Sequence, residues 1–310
     1  MARIDVHQHI LPPTYLAALA ERGITAGGGM PFPAWDVQGM LEVMDRYEIA
    51  TAITSISEPG VDIGDPVLAR NLARQCNEYA AHLVREYPGR FGAFATLPLP
   101  DVDAALRELE YALDTLHLDG VMLLSNSNGH YPGDALFDEL FTELNRRKAI
   151  VFLHPTVPPI NRELHLNLPP FLVEFVFDTT RAVVNLVYSG TLERCPDMRV
   201  ILAHAGGTAP YLALRISMGQ TMLPGLPQGA MSYLKQCYYD TALSASPFAL
   251  RSLQELVDAS HILFGSDYPF APDLLTGFSL SSIATSAGFN EQGRAQVERG
   301  SALALFPRFS

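Results

Sequence analysis

The sequence predicts an α/β fold, a single (β/α)8 barrel taking in residues 1–310 as one domain, and three observations predict it. Eight short apolar or β-branched runs alternate with longer segments of helical periodicity, the signature of repeated strand–helix units. Eight such units in 310 residues suit a closed barrel better than an open sheet. The first run is followed by Ile10-Leu11-Pro12-Pro13, where a doubly wound nucleotide-binding sheet would place a Gly-rich turn. No Pro/Ser-rich linker or shift in composition divides the chain.

The predicted strands, in order, are 3–9, 51–57, 91–97, 120–125, 149–154, 199–204, 237–243 and 262–267. Between them lie amphipathic helices at 102–116, 135–147, 180–193 and 247–257. In the first of these Ala105, Leu106, Leu109, Ala112 and Leu113 recur at helical spacing, with acids on the opposite face. Ser246-Pro247 marks a helix start, and Pro196 after Cys195 marks an end. Segments 10–33, 155–170 and 268–278 are long, rich in Gly and Pro, and follow strands, on the side where barrel enzymes build their sites. Residues 290–309 read as a closing helix.

Composition excludes several function classes. Nearly half the residues are apolar and 17% are charged, enough for a substantial core. A net charge of -12 argues against nucleic acid and against an anionic membrane, both of which need a basic footprint. No apolar run approaches the ~20 residues that cross a bilayer. The N-terminus lacks a charged region followed by a long apolar stretch, so no signal peptide is expected. Cys76, Cys195 and Cys237 are scattered and form no C-x-x-C, which reads as reduced thiols in a cytoplasmic protein.

The chemistry is carried by strand ends. His7 and His9 are one residue apart, and alternate strand residues share a face, so both imidazoles project together. His154 ends strand five, His204 ends strand six, and Asp267 ends strand eight. In a barrel these carboxyl ends converge on one mouth. Four imidazoles and one carboxylate gathered there suit a divalent metal with nitrogen and oxygen ligands. The other ends serve as a control: Ser57, Leu97 and Ser125 offer no strong ligand, and strand seven holds only Asp240.

These motifs resemble the amidohydrolase superfamily. Ile-Asp-Val-His-Gln-His, Phe-Leu-His-Pro-Thr, Leu-Ala-His-Ala-Gly-Gly and Leu-Phe-Gly-Ser-Asp-Tyr-Pro narrow the resemblance to one branch. That branch contains aminocarboxymuconate semialdehyde decarboxylase, γ-resorcylate decarboxylase and the methylsalicylate decarboxylases. Phe-Ala-Thr-Leu-Pro-Leu, Asp-Thr-Thr-Arg and Tyr-Tyr-Asp-Thr-Ala-Leu-Ser-Ala bring it nearest to the last.

The resemblance implies His7, His9, His154 and Asp267 as the ligands of one metal ion per site, zinc as the first expectation and manganese the next. Binuclear members of the superfamily use a lysine at the end of strand four; the only lysines here are Lys148 and Lys235, so a metal pair is not expected. His204 is assigned as an acid/base beside the metal rather than a ligand, and Asp267 as a catalytic group as well as a ligand. Asp5, on the inward face but deeper, is expected to orient a histidine. Arg215 matches an arginine that binds the substrate carboxylate, sometimes from a neighbouring subunit. Two departures stand out. Gly207 occupies the place of a glutamate in γ-resorcylate decarboxylase, and the helix around Met40–Arg46 lacks the arginine expected of the semialdehyde decarboxylase.

The implied activity is metal-dependent, non-oxidative decarboxylation of a small hydroxybenzoic acid of the salicylate type. Phe32, Trp35 and Phe270 are candidates to line the ring pocket. The alternative is a hydrolase of a lactone or related ester, the metal lowering the pKa of bound water and Asp267 taking its proton. A third reading, a barrel without catalysis, leaves buried histidines unused at ~1–3 kcal/mol each. The family implies a homodimer or homotetramer.

Overall fold

The computed structural model describes residues 2–223 and 225–310. Eight strands run parallel in sequential order: β1 Arg3–His9, β2 Ile49–Ser55, β3 Phe91–Thr96, β4 Gly120–Leu124, β5 Ile150–His154, β6 Arg199–Leu202, β7 Tyr238–Asp240 and β8 Ile262–Leu263. The sheet returns on itself between β8 and β1. The Val6 amide donates to Phe264 O at 3.0 Å, the Asp267 amide to His7 O at 2.8 Å, and the His9 amide to Tyr268 O at 2.7 Å. A (β/α)8 barrel is therefore observed, as expected, with an added two-residue ladder, Ala26–Gly27 against Met30–Pro31, in the loop after β1.

Helices cover the outside, and their caps follow from sequence. Asp36, Asp65, Asp101 and Ser246 each accept a backbone N–H in the first turn of the helices they precede. The predicted helix at 102–116 is α-helical over Val102–Glu110 and widens to a π turn at Tyr111–Thr115. The helix expected at 180–193 runs instead over Glu174–Tyr188 and stops before Gly190, whose φ of 74° cannot continue it. The closing segment bends at a second π turn, Gln296–Gly300, where Val297 O accepts the Phe264 amide at 3.0 Å. That bond seals the barrel under its shortest strand.

Inside the barrel an aromatic column separates the two ends. Phe94 stacks on Phe152 with centroids 5.1 Å apart, and Phe306 closes the lower end 5.9 Å from Phe94. All three are buried, so the upper end rests on a dry, rigid floor. The strand ends differ from sequence expectation where function intervenes. β6 ends at Leu202 and β8 at Leu263, short of 204 and 267, and His204 and Asp267 adopt left-handed φ of 54° and 64°. Pairing with β1 resumes past β8, where Gln8 and Tyr268 form an isolated parallel bridge.

Candidate metal centre at the barrel mouth

β1 carries a bulge between Asp5 and Gln8, since Asp5 pairs with Ala52 and Gln8 with Thr54. The extra residue puts Asp5 and Gln8 on one side, joined by a 2.7 Å Gln8 Nε2–Asp5 Oδ2 hydrogen bond. His7 and His9 are left together on the other, facing the mouth. The expectation that Asp5 shares the histidines' face and orients an imidazole is thereby corrected. Asp5 instead accepts the backbone amides of His7 at 3.0 Å and Ser266 at 3.1 Å, riveting β1 to the segment that ends in Asp267. Burial lifts its pKa to about 6, against the hydrogen bonds from Ser266, Gln8 and His7.

His7, His9, His154 and Asp267 converge, all buried, with their ligand atoms within 4.8 Å of one another. His7 Nε2 lies 3.0 Å from His9 Nε2, and Asp267 Oδ1 lies 3.3 Å from the first and 3.1 Å from the second. The outer nitrogens settle the tautomers. His7 Nδ1 is 2.7 Å from the Asp240 carboxylate and His154 Nδ1 is 2.8 Å from the Pro155 carbonyl. Those oxygens only accept, so both Nδ1 atoms carry protons and both Nε2 atoms present lone pairs inward. His9 Nδ1 meets the Ser55 hydroxyl at 3.3 Å. Lone pairs and one carboxylate pointed at a common point are a donor set for a divalent cation, and the residues fit one.

The electrostatics agree. Burial opposes charge on His7, but Asp240 and Asp267 outweigh it and raise its pKa to about 10. Burial would raise Asp267, yet His7 and the hydrogen bonds from His204, His7 and His9 hold its carboxyl well below the usual range. Burial pushes His9 down, and burial with the neighbouring histidines pushes His154 well down. The acids around His7 thus draw one positive charge to the centre, a proton on His7 that a bound cation would displace, while His9 and His154 stay neutral.

His204 stands beside this set rather than in it. Its Nε2 is 3.3 Å from Asp267 Oδ2, the oxygen turned away from the other histidines, and its buried Nδ1 has no partner among the described residues. The backbone from His204 to Gly207 has four successive positive φ values, 54°, 55°, 72° and 65°. For non-glycine residues this costs of order 1 kcal/mol or more each, and such strain is retained where the surroundings fix it. Asp240 does the fixing: its Oδ1 accepts the His204 amide at 2.9 Å while its Oδ2 holds the His7 ring. Asp240 is the residue that sequence reasoning passed over as part of the control; read as mid-strand in 237–243, it ends a strand that stops at 240, and its being the one carboxylate on strand seven was the available signal.

The remaining predicted residues separate. Phe270 lies 5.4 Å, ring to ring, from His9, and Phe32 lies 6.5 Å from Phe270, so both stand over the centre. Phe175, unpredicted, lies 6.3 Å from His154. Trp35 packs on Tyr79. Arg215 is exposed on the helix Ala209–Met218 and lines an outer groove with Arg181 and Tyr188. At Gly207 a Cβ would lie 2.1 Å from Val176 O, so the backbone excludes any side chain where γ-resorcylate decarboxylase has its glutamate. A cavity of about 300 Å³ opens beside the centre, lined in part by Leu124, the register partner of His154, and by Thr96, Asn126 and Thr156.

A (β/α)8 barrel with three histidines and an aspartate gathered at the C-terminal mouth defines a metal-dependent barrel enzyme. The amidohydrolase family model matches residues 4–308, and the chain belongs to that family. It is 39% identical to the decarboxylase yanB of Aspergillus niger, over 100% of this chain and 88% of that protein. It is 38% identical to the 6-methylsalicylic acid decarboxylase of Penicillium expansum, over 99% and 97%. Among solved structures, one described as amidohydrolase II superposes with a TM-score of 0.93 at 30% identity, over 98% of this chain and 99% of that one. The 5-carboxyvanillate decarboxylase of Novosphingobium aromaticivorans, complexed with manganese and 4-hydroxy-3-methoxy-5-nitrobenzoic acid, superposes at 0.89 with 20% identity, over 98% and 96%, a likeness of fold.

Proposed function

We propose that this chain catalyses metal-dependent, non-oxidative decarboxylation of a small salicylate-type acid. The observation that carries the reading is the convergence of His7, His9, His154 and Asp267 in a chain alike over nearly its whole length to a 6-methylsalicylic acid decarboxylase. His7, His9, His154 and Asp267 would hold a divalent cation, which would supply Lewis-acid charge for a bound carboxylate. Three imidazoles and one carboxylate favour zinc, and manganese is the alternative.

The chain's own groups manage the proton. His204 Nε2 and Asp267 Oδ2, 3.3 Å apart, form the proton-carrying pair that faces the ring carbon bearing the carboxylate. That carbon receives the proton, the bond to the carboxylate breaks, its electron pair restores the aromatic ring, and carbon dioxide leaves. Phe270, Phe32 and Phe175 enclose the ring and exclude water. Gly207 leaves no group where a glutamate would contact a second ring hydroxyl, which favours a methylated salicylate over γ-resorcylate.

Arg215 is read as a carboxylate-binding group delivered from a second copy of the chain. The helix that carries it exposes Tyr211, Leu214 and Met218 beside it, an apolar stripe that a homodimer or homotetramer would cover. Among the described residues no helix is long and apolar enough to cross a membrane, and all three cysteines are buried free thiols. The 310 residues are read as one catalytic domain at work in the cytoplasm. The test is carbon dioxide release from a panel of salicylates by the metal-loaded protein. Release that a chelator stops supports the reading; no release, alongside hydrolysis of a lactone, replaces it with the hydrolase.

A further inference from the structure

The cavity beside the centre carries two carboxyls, Glu58 and Asp62, that the chemistry above does not use. Glu58 follows β2, and its Oε2 accepts the Gly28 amide of the loop after β1. That loop is tightly held. A Cβ would lie 2.6 Å from Glu58 O at Gly27, 2.6 Å from the Phe175 ring at Gly28, and 2.7 Å from Pro170 at Gly29. Gly28 O accepts the Phe171 amide at 3.1 Å. Glu58 is thus fixed against the roof of the site, one residue removed from the ring that faces His154. Its Oε1 accepts from no protein group among the described residues; the wall around it is mixed, Leu97, Met122 and Leu124 alternating with Asp62, Asn126, Thr156 and Arg162.

A carboxylate in a partly apolar wall is costly unless a donor meets it. Burial pushes the Glu58 pKa up to about 7 even with the Gly28 hydrogen bond opposing the rise. We propose that Glu58 is a specificity-determining residue, its carboxylate accepting a hydrogen bond from a hydroxyl on the ring edge that enters the cavity it lines. A hydroxyl there is favoured over a methyl, and a second carboxylate is repelled by like charge. The inference rests on the decarboxylase reading only for its ligand class.

Glu58→Gln keeps an oxygen for Gly28 and removes the charge. Three salicylates carrying hydroxyl, methyl or carboxylate at one ring position are compared with wild type and variant. Both kcat/KM for carbon dioxide release and Kd from salicylate fluorescence are measured on metal-loaded protein. The variant should bind the hydroxyl compound about tenfold more weakly and the carboxylate compound about tenfold more tightly, the methyl compound changing less than about twofold. A second variant, Glu58→Asp, withdraws the acceptor by one methylene and should weaken the hydroxyl compound alone. An equal change for all three ligands, no change, or no binding by any of them overturns the assignment. A selective Kd series without carbon dioxide release sinks the decarboxylase reading and leaves Glu58 standing. Release with a flat Kd series does the reverse.

Discussion

Replacing Asp240 with Asn tests the centre at the point where one side chain holds two others. The native carboxylate accepts His7 Nδ1–H at 2.7 Å, the His204 amide at 2.9 Å and the Ala242 amide at 2.9 Å. An asparagine can keep its oxygen on the two amides, which points its NH2 at His7 Nδ1. Two donors cannot share that contact, so His7 must move its proton to Nε2, the nitrogen that faces the other ligands. The variant then loses a charge-assisted hydrogen bond of about 1.5–3 kcal/mol and blocks one ligand atom. Metal affinity should fall about 10–100-fold, measured by competition with a chromophoric chelator. Cobalt-substituted protein should also show altered d–d absorption, which a change confined to global stability would not produce. Unchanged metal affinity together with an unchanged cobalt spectrum would refute the claim that Asp240 sets the His7 tautomer.

Three further outcomes are expected. Gly207→Ala places a Cβ 2.1 Å from Val176 O at a φ of 65°, so it should destabilise by about 2–4 kcal/mol, read as a lowered denaturation midpoint; a loss under about 0.5 kcal/mol would mean the turn relaxes freely. Arg215→Ala and Asp267→Ala should each be inactive alone, while their mixture regains up to about a quarter of wild-type activity if Arg215 serves a neighbouring subunit; an inactive mixture confines Arg215 to its own chain. Glu58 has a folded pKa of about 7, above its unfolded value, so the native state binds its proton more tightly and stability is lost as pH rises from the unfolded value through 7. The loss is at most about 3 kcal/mol, and Glu58→Gln should be relatively more stable than wild type at pH 8 than at pH 5 in denaturant titrations, a gap of the opposite sign contradicting the assignment.

Left-handed residues at the site have a bearing on how these variants behave. His204 and Asp267 face each other across the mouth from two left-handed turns, and their positions depend on the His204 amide bond to the Asp240 carboxylate and the Asp267 amide bond to the His7 carbonyl. Substitutions that cut those bonds therefore reach the chemistry without touching a ligand side chain.

Much of this protein was legible in the chain itself. Alternating short apolar runs and amphipathic helices predict the barrel because strand and helix periods are local properties of the sequence. The candidate donors His7, His9, His154, His204 and Asp267 were legible because a barrel forces strand ends to one mouth, and the family resemblance implied which four of them would ligate. What the sequence could not decide depends on backbone geometry between distant segments. The bulge in β1 that turns Asp5 to the rivet side arises from pairing with β2, and no periodicity of residues 3–9 announces it. Asp240 looked inert because its value lies in two partners, His7 and His204, which precede it by 233 and 36 residues. Arg215 lies on the outer surface because the helix Ala209–Met218 turns that face outward, which only packing against neighbouring helices fixes. Residue type and spacing determine which groups are available for chemistry; the closing of the sheet determines which of them share an atom, a proton or a metal.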